Sequence, residues 1–133
     1  MSADGAKRIL VVEDEPLNLK LVTRILGREG FLVVPATSAE EALARARRDP
    51  PHLVLMDIRL PGMDGLVATR LIREDPVLGH IPVVGVSAYA MEEDVARARE
   101  AGCAAYMSKP FDRAQLLATV RSLVGDGVPP RVP

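Results

Sequence analysis

Apolar side chains fall in five short clusters along the chain. They are Ile9-Leu10-Val11-Val12, Phe31-Leu32-Val33-Val34, Leu53-Val54-Leu55-Met56, Val83-Val84-Gly85-Val86 and Ala104-Ala105-Tyr106-Met107. Within each cluster the apolarity is continuous rather than alternating, which predicts strands buried on both faces. A helical period follows each cluster. Pro16 suits a first helical position, and Leu17, Leu21, Val22, Ile25 and Leu26 fall on one helical face before Gly30 closes the segment. Ser38 and Glu41 form a capping-box pattern for a second helix, Ala39 to about Arg48, which Pro50-Pro51 ends. Further helices are predicted over 66–73, stopped near Pro76, and over 91–101, closed by Gly102. Asp112 can cap a fifth, with Leu116, Leu117, Val120, Leu123 and Val124 on its apolar face and Gly125 at its end. Five strands alternating with five helices predict an α/β fold: a doubly wound parallel sheet with helices on both faces.

Composition narrows the class. The 133 residues amount to about one domain. Hydrophobic residues are 48% and charged residues 26%, which excludes a disordered or collagen-like chain. Lys and Arg total 17 against 18 Asp and Glu, a net charge of −1, so a dedicated nucleic-acid binder is disfavoured. Aromatics are only 3%, which leaves no stacking platform for bases. One cysteine allows no internal disulfide and favours a reducing compartment. The opening MSADGAKR lacks a signal-peptide core, and no apolar run is long enough to span a membrane. A cytoplasmic setting is expected.

In doubly wound sheets ligands bind beyond the carboxyl ends of the strands. There the first strand delivers Glu13-Asp14-Glu15, the third Asp57, the fourth Ser87 and the fifth Ser108-Lys109-Pro110. Clustered carboxylates repel one another and call for a cation, and an oxygen-only set suits Mg²⁺ or Ca²⁺ rather than zinc. An aspartate can attack phosphorus to form an aspartyl phosphate. Phosphoryl transfer then needs mainly charge neutralisation, which a metal, a lysine and a hydroxyl supply. Lys109 stands out because the chain has only three lysines, at positions 7, 20 and 109.

These segments resemble the receiver domain of response regulators. The resemblance rests on Ile9-Leu10-Val11-Val12-Glu13-Asp14-Glu15, on Leu55-Met56-Asp57-Ile58-Arg59-Leu60-Pro61-Gly62-Met63-Asp64-Gly65, on Val86-Ser87-Ala88-Tyr89-Ala90 and on Tyr106-Met107-Ser108-Lys109-Pro110-Phe111. It implies a flavodoxin-like, CheY-like sheet of order 2-1-3-4-5. It implies a receiver over residues 7–124, with tails at 1–6 and 125–133. Asp57 would be the phosphoacceptor, Glu13 and Asp14 would hold Mg²⁺ (Mn²⁺ being an alternative), and the Arg59 carbonyl would be a further ligand. Lys109 would contact the phosphoryl group, Ser87 would hydrogen-bond it, and Tyr106 would be the switch aromatic. Lys109-Pro110 would be a cis bond, making Pro110 a structural turn residue. Arg59 and Tyr89 would tune the phosphate lifetime.

The implied partners are a sensor histidine kinase or histidine phosphotransfer protein, and a downstream protein that reads residues 92–124. A weak homodimer is compatible with this reading; nucleic acid and membrane are not expected. The initial Met and the short tail favour a chain whose output is its own surface, in a two-component or phosphorelay system. The receiver would catalyse only its own phosphorylation and dephosphorylation.

Competing readings are weaker. An aspartyl phosphatase needs a second Asp two residues after the first, and position 59 is Arg. A dinucleotide module lacks G-x-G-x-x-G after the first strand. A phosphorylation-independent interaction module would show a lost Asp or Lys. Plainer roles are expected elsewhere: Glu15 at a helix start, Asn18 on an exposed helix face, Cys103 as a small buried apolar group. His52 and His80 are expected in solvent, as are Arg45, Arg47 and Arg48 at a helix end.

Overall fold

The computed structural model describes residues 5–88 and 91–125. Its strands are β1 (Arg8–Val12), β2 (Leu32–Ala36), β3 (Leu53–Asp57), β4 (Val83–Ser87) and β5 (Ala105–Ser108). Its helices are α1 (Pro16–Arg28), α2 (Ala39–Arg48), α3 (Gly65–Glu74), α4 (Glu92–Ala101) and α5 (Arg113–Val124). All strand pairs are parallel, in the order β2-β1-β3-β4-β5. The expected fold class and strand order are therefore observed.

The period of two along each strand divides the core. Leu10, Val12, Val54 and Met56 face α2 and α3, where they meet Ala42, Leu43, Ala46, Ala68 and Ile72. Ile9, Val11, Leu53 and Leu55 face α1 and α5, where they meet Val22, Leu26, Leu116 and Val120. Burial on both faces explains the continuous apolarity of β1, β3 and β4. The two outer strands depart from the expectation. Leu32 of β2 is 41% exposed, and three of the four residues of β5 are only half-buried. Both strands are sheet edges, and Pro35 fits an edge because it donates no ladder hydrogen bond.

Helix starts follow the expected chemistry. Glu15, Ser38, Asp64 and Asp112 each accept a first-turn N–H. Glu41 departs from the capping box, because its carboxylate takes the Thr37 N–H at 2.7 Å rather than that of Ser38. Met91, at the start of α4, supplies no side-chain cap. Opposite α4, Glu29 receives Arg113 and Arg121, each at 2.5 Å, and ties α5 to the end of α1.

His52 is not simply solvated. Its Nδ1 accepts the Arg8 N–H at 2.9 Å, closing the amino end of β1 onto the turn before β3. Burial, with the charges of Lys7 and Arg8, holds its pKa below the ordinary value. The folded state thus resists protonation at His52 while the unfolded chain titrates near pH ~6.5. Its stabilising effect is complete above that pH and is lost as pH falls through it toward the folded pKa. Urea denaturation at about pH 7 and about pH 5 should show a steeper acid loss in wild type than in His52→Asn. Equal losses would remove the role.

Candidate functional site

The carboxyl edge of the sheet gathers the chemistry. Glu13 follows β1, and its backbone N–H donates to the Ala36 carbonyl at 3.0 Å, extending the ladder by one residue. This holds the Glu13 side chain at the sheet edge, 6% exposed. Asp14 is exposed beside it. Asp57 ends β3 and is 5% exposed. The next residue, Ile58, donates its N–H to the Val86 carbonyl at 2.9 Å, which fixes the turn after the aspartate. Lys109 follows β5, and its N–H donates to the Ser87 carbonyl at 2.7 Å. The Lys109-Pro110 bond is cis, as expected.

These placements bring Glu13, Asp14, Asp57 and Lys109 into one cluster. Carboxylate oxygens of the three acids lie within 4.8 Å of one another. Lys109 Nζ donates to Glu13 Oε1 at 2.8 Å and to Asp57 Oδ2 at 3.1 Å. Backbone amides hold the outer oxygens: Glu15 N–H donates to Glu13 Oε2 at 3.2 Å, and Arg59 N–H donates to Asp57 Oδ1 at 3.0 Å. Burial, outweighing the Lys109 hydrogen bond and reinforced by Asp57, raises the Glu13 pKa. Burial alone would lower that of Lys109, but its bonds to Glu13 and Asp57 raise it overall. Lys109 therefore stays an ammonium.

Three carboxylates against one ammonium leave the ionised cluster with a charge of −2, which a divalent cation would balance. The donors are all oxygen and one of them, Asp14, faces solvent. That set fits a hard cation that keeps water in its other positions.

Ser87 ends β4 and is 2% exposed. It lines an adjoining cleft of about 150 Å³ with Arg59, Asp64, Asp94, Arg97 and Tyr106. The expected switch pair, Ser87 and Tyr106, thus shares one cavity. Tyr89 lies outside the described residues.

Two neighbours were not singled out from the sequence. Gly65 opens α3 against the backbone of Asp57 and Ile58, and Thr69 is a fully buried hydroxyl one turn later. The Asp64-Gly65 pair after Pro61 marks a turn, but no local pattern shows what that glycine touches.

A parallel 2-1-3-4-5 sheet with this acidic edge and its lysine defines a receiver domain. The chain belongs to the response regulator receiver domain family, which it matches over residues 9–121. It is 42% identical over 120 residues to the polar-differentiation response regulator DivK of Brucella ovis, covering 90% of this chain and 98% of that protein. Among solved structures it resembles the receiver domain of a Pseudomonas aeruginosa PAO1 sensor histidine kinase, crystallised with magnesium coordinated in its active-site cleft. That likeness has a TM-score of 0.84 at 33% identity, over 91% of this chain and 99% of the other. The receiver domain of NtrX from Brucella abortus matches with a TM-score of 0.81 at 33% identity, over 87% and 97%. The protein is thus a response-regulator receiver, consistent with a phosphorylation-activated signalling switch rather than a classical enzyme. No helix among the described residues is long and apolar enough to cross a membrane.

Proposed function

We propose that Asp57 accepts a phosphoryl group from the phosphohistidine of a sensor kinase or phosphotransfer protein, in a Mg²⁺-dependent reaction. The observation that carries this reading is the Lys109 ammonium held between Asp57 and Glu13 at 3.1 and 2.8 Å. An Asp57 oxygen bonds to phosphorus while the donor imidazole nitrogen leaves with the electron pair of the broken P–N bond. Lys109, already on Oδ2, follows the charge onto the phosphoryl oxygens. Glu13, Asp14, Asp57 and the Arg59 carbonyl would hold Mg²⁺, or Mn²⁺ in its place. Bound there, the ion supplies charge neutralisation of the phosphoryl oxygens. Ser87 then hydrogen-bonds the new group, and Tyr106 follows it within their shared cleft. The same residues support slow hydrolysis of the phosphate, with Arg59 and Tyr89 setting its lifetime.

The receiver proper spans residues 7–124 and works in the cytoplasm. Its downstream protein partner reads the surface over residues 92–124, and a weak homodimer is compatible with this reading.

Acetyl phosphate with Mg²⁺ should add one phosphate to the intact chain, read by mass spectrometry; no addition would sink the reading. Mg²⁺ alone should raise the melting temperature, and the rise should grow with the logarithm of its concentration above Kd. Linkage gives about 2.7 kcal/mol at a concentration roughly a hundred times Kd. An unchanged melting temperature at millimolar Mg²⁺ would count against the metal assignment.

A further inference from the structure

We propose that Gly65 and Thr69 are positioning residues for Asp57: the first turn of α3 sets the acceptor's backbone, and the buried Thr69 hydroxyl sets that turn. The inference rests on Asp57 being the acceptor.

Gly65 does not have a left-handed φ, so conformational freedom is not what places glycine there. The reason is contact. A Cβ at this position would lie 2.3 Å from the Asp57 carbonyl oxygen and 2.9 Å from Ile58 Cα. The Gly65 N–H also donates to the Ile58 carbonyl at 3.1 Å. The start of α3 therefore presses directly on the peptide that carries the acceptor. That peptide leads to the Arg59 N–H, which holds Asp57 Oδ1 at 3.0 Å. A shift of the α3 turn thus moves both the acceptor's main chain and the donor that orients its carboxylate.

Thr69 fixes the turn from inside. It is 0% exposed, and its Oγ1 donates to the Gly65 carbonyl at 2.8 Å. Cys103 packs against the same core cluster as Ala68 and Ile72 of α3. Cys103 is thus the small packing group expected from the sequence, though half-buried rather than buried. Its sulfur lies 3.3 Å from where a Gly85 Cβ would stand, and the Tyr106 ring lies 3.3 Å from the same point. Buried hydroxyls in helices commonly satisfy themselves on the preceding turn, which alone would be structural. The positioning role follows from what that turn touches.

Thr69→Val keeps the volume and removes the hydroxyl, and Thr69→Ser restores it. Thr69→Val should be phosphorylated by acetyl phosphate roughly tenfold more slowly than wild type, and Gly65→Ala roughly a hundredfold more slowly if it folds, since small misplacements of a reacting group carry costs of this order. Thr69→Ser should recover most of the wild-type rate. In amide NMR spectra the Arg59 resonance should move in Thr69→Val and return in Thr69→Ser, a change that lost core packing alone would not reverse. A wild-type rate and an unmoved Arg59 resonance in Thr69→Val would overturn the inference, as would a Thr69→Ser as slow as Thr69→Val. If wild type itself takes no phosphate, the acceptor reading fails and takes this inference with it, so the two failures are distinct.

Discussion

Asp57→Asn is expected to take up no phosphate where wild type takes up one per chain. The amide is nearly isosteric but carries one oxygen, so it keeps either the Arg59 N–H that Oδ1 accepts at 3.0 Å or the Lys109 ammonium that Oδ2 accepts at 3.1 Å, not both. What disappears is the anionic nucleophile. The variant also lowers the formal charge of the ionised cluster from −2 to −1. Asp57 is one of the groups that raise the Glu13 pKa, so its removal relaxes Glu13 toward the ordinary carboxylate value. The Mg²⁺-induced rise in melting temperature should therefore shrink in Asp57→Asn, because less repulsion remains to be relieved. Labelling of this variant at the wild-type level, read by mass spectrometry, would place the acceptor elsewhere.

Lys109→Ala should separate two roles of one ammonium. Glu13 and Asp57 are 6% and 5% exposed, and in this variant they face each other with no counter-charge. Removing one partner of a buried ion pair costs about 3–5 kcal/mol. Lys109 is itself 23% exposed, so the lower part of that range applies here. Mg²⁺ should restore much of this loss by supplying the missing charge, and the phosphorylation response should stay impaired even when the fold is restored. The pH dependence has a definite sign. The folded pKa of Glu13 already lies above its ordinary value, and the Lys109 bond is among the causes that lower it. Without that bond it rises further, so the folded state binds a proton that the unfolded chain has lost. Metal-free Lys109→Ala should therefore gain stability as pH falls through that raised pKa. Lys109→Arg should not recover the response, since a planar fork does not replace a compact ammonium between two carboxylates. Normal phosphorylation and switching in Lys109→Ala would remove its role.

How far the sequence carried these conclusions depended on whether the signal was local. Strands β1, β3 and β4 were legible because burial on both faces leaves an uninterrupted apolar run. The strand-end acids and Lys109 were legible because the fold class places every such residue on one edge. The partial exposure of β2 and β5 follows from strand order, which apolarity alone does not carry, although Pro35 was a sign of an edge. His52 looked like a solvated connector residue because its partner, the Arg8 amide, is 44 positions away. Gly65 and Thr69 were passed over for the same reason. Their meaning lies in the contact between the α3 turn and the Asp57–Ile58 backbone, which only tertiary packing brings together.

The missing cap on α4 has a consequence of its own. Four helices begin on a side-chain acceptor, and α4 begins on Met91, which offers none. Such a cap is worth about 1 kcal/mol, a sizeable part of the few kcal/mol that separate two interconverting states. Asp94 and Arg97 of this helix line the cleft that Ser87 and Tyr106 share. On the opposite flank, Glu29 grips α5 through two arginines. One flank is therefore braced by ion pairs, while the helix without a side-chain cap borders the cleft beside the proposed acceptor. In native-state hydrogen exchange the first turn of α4 should open before any other helical turn, so a small input of free energy at the sheet edge is spent on one helix rather than spread through the whole domain.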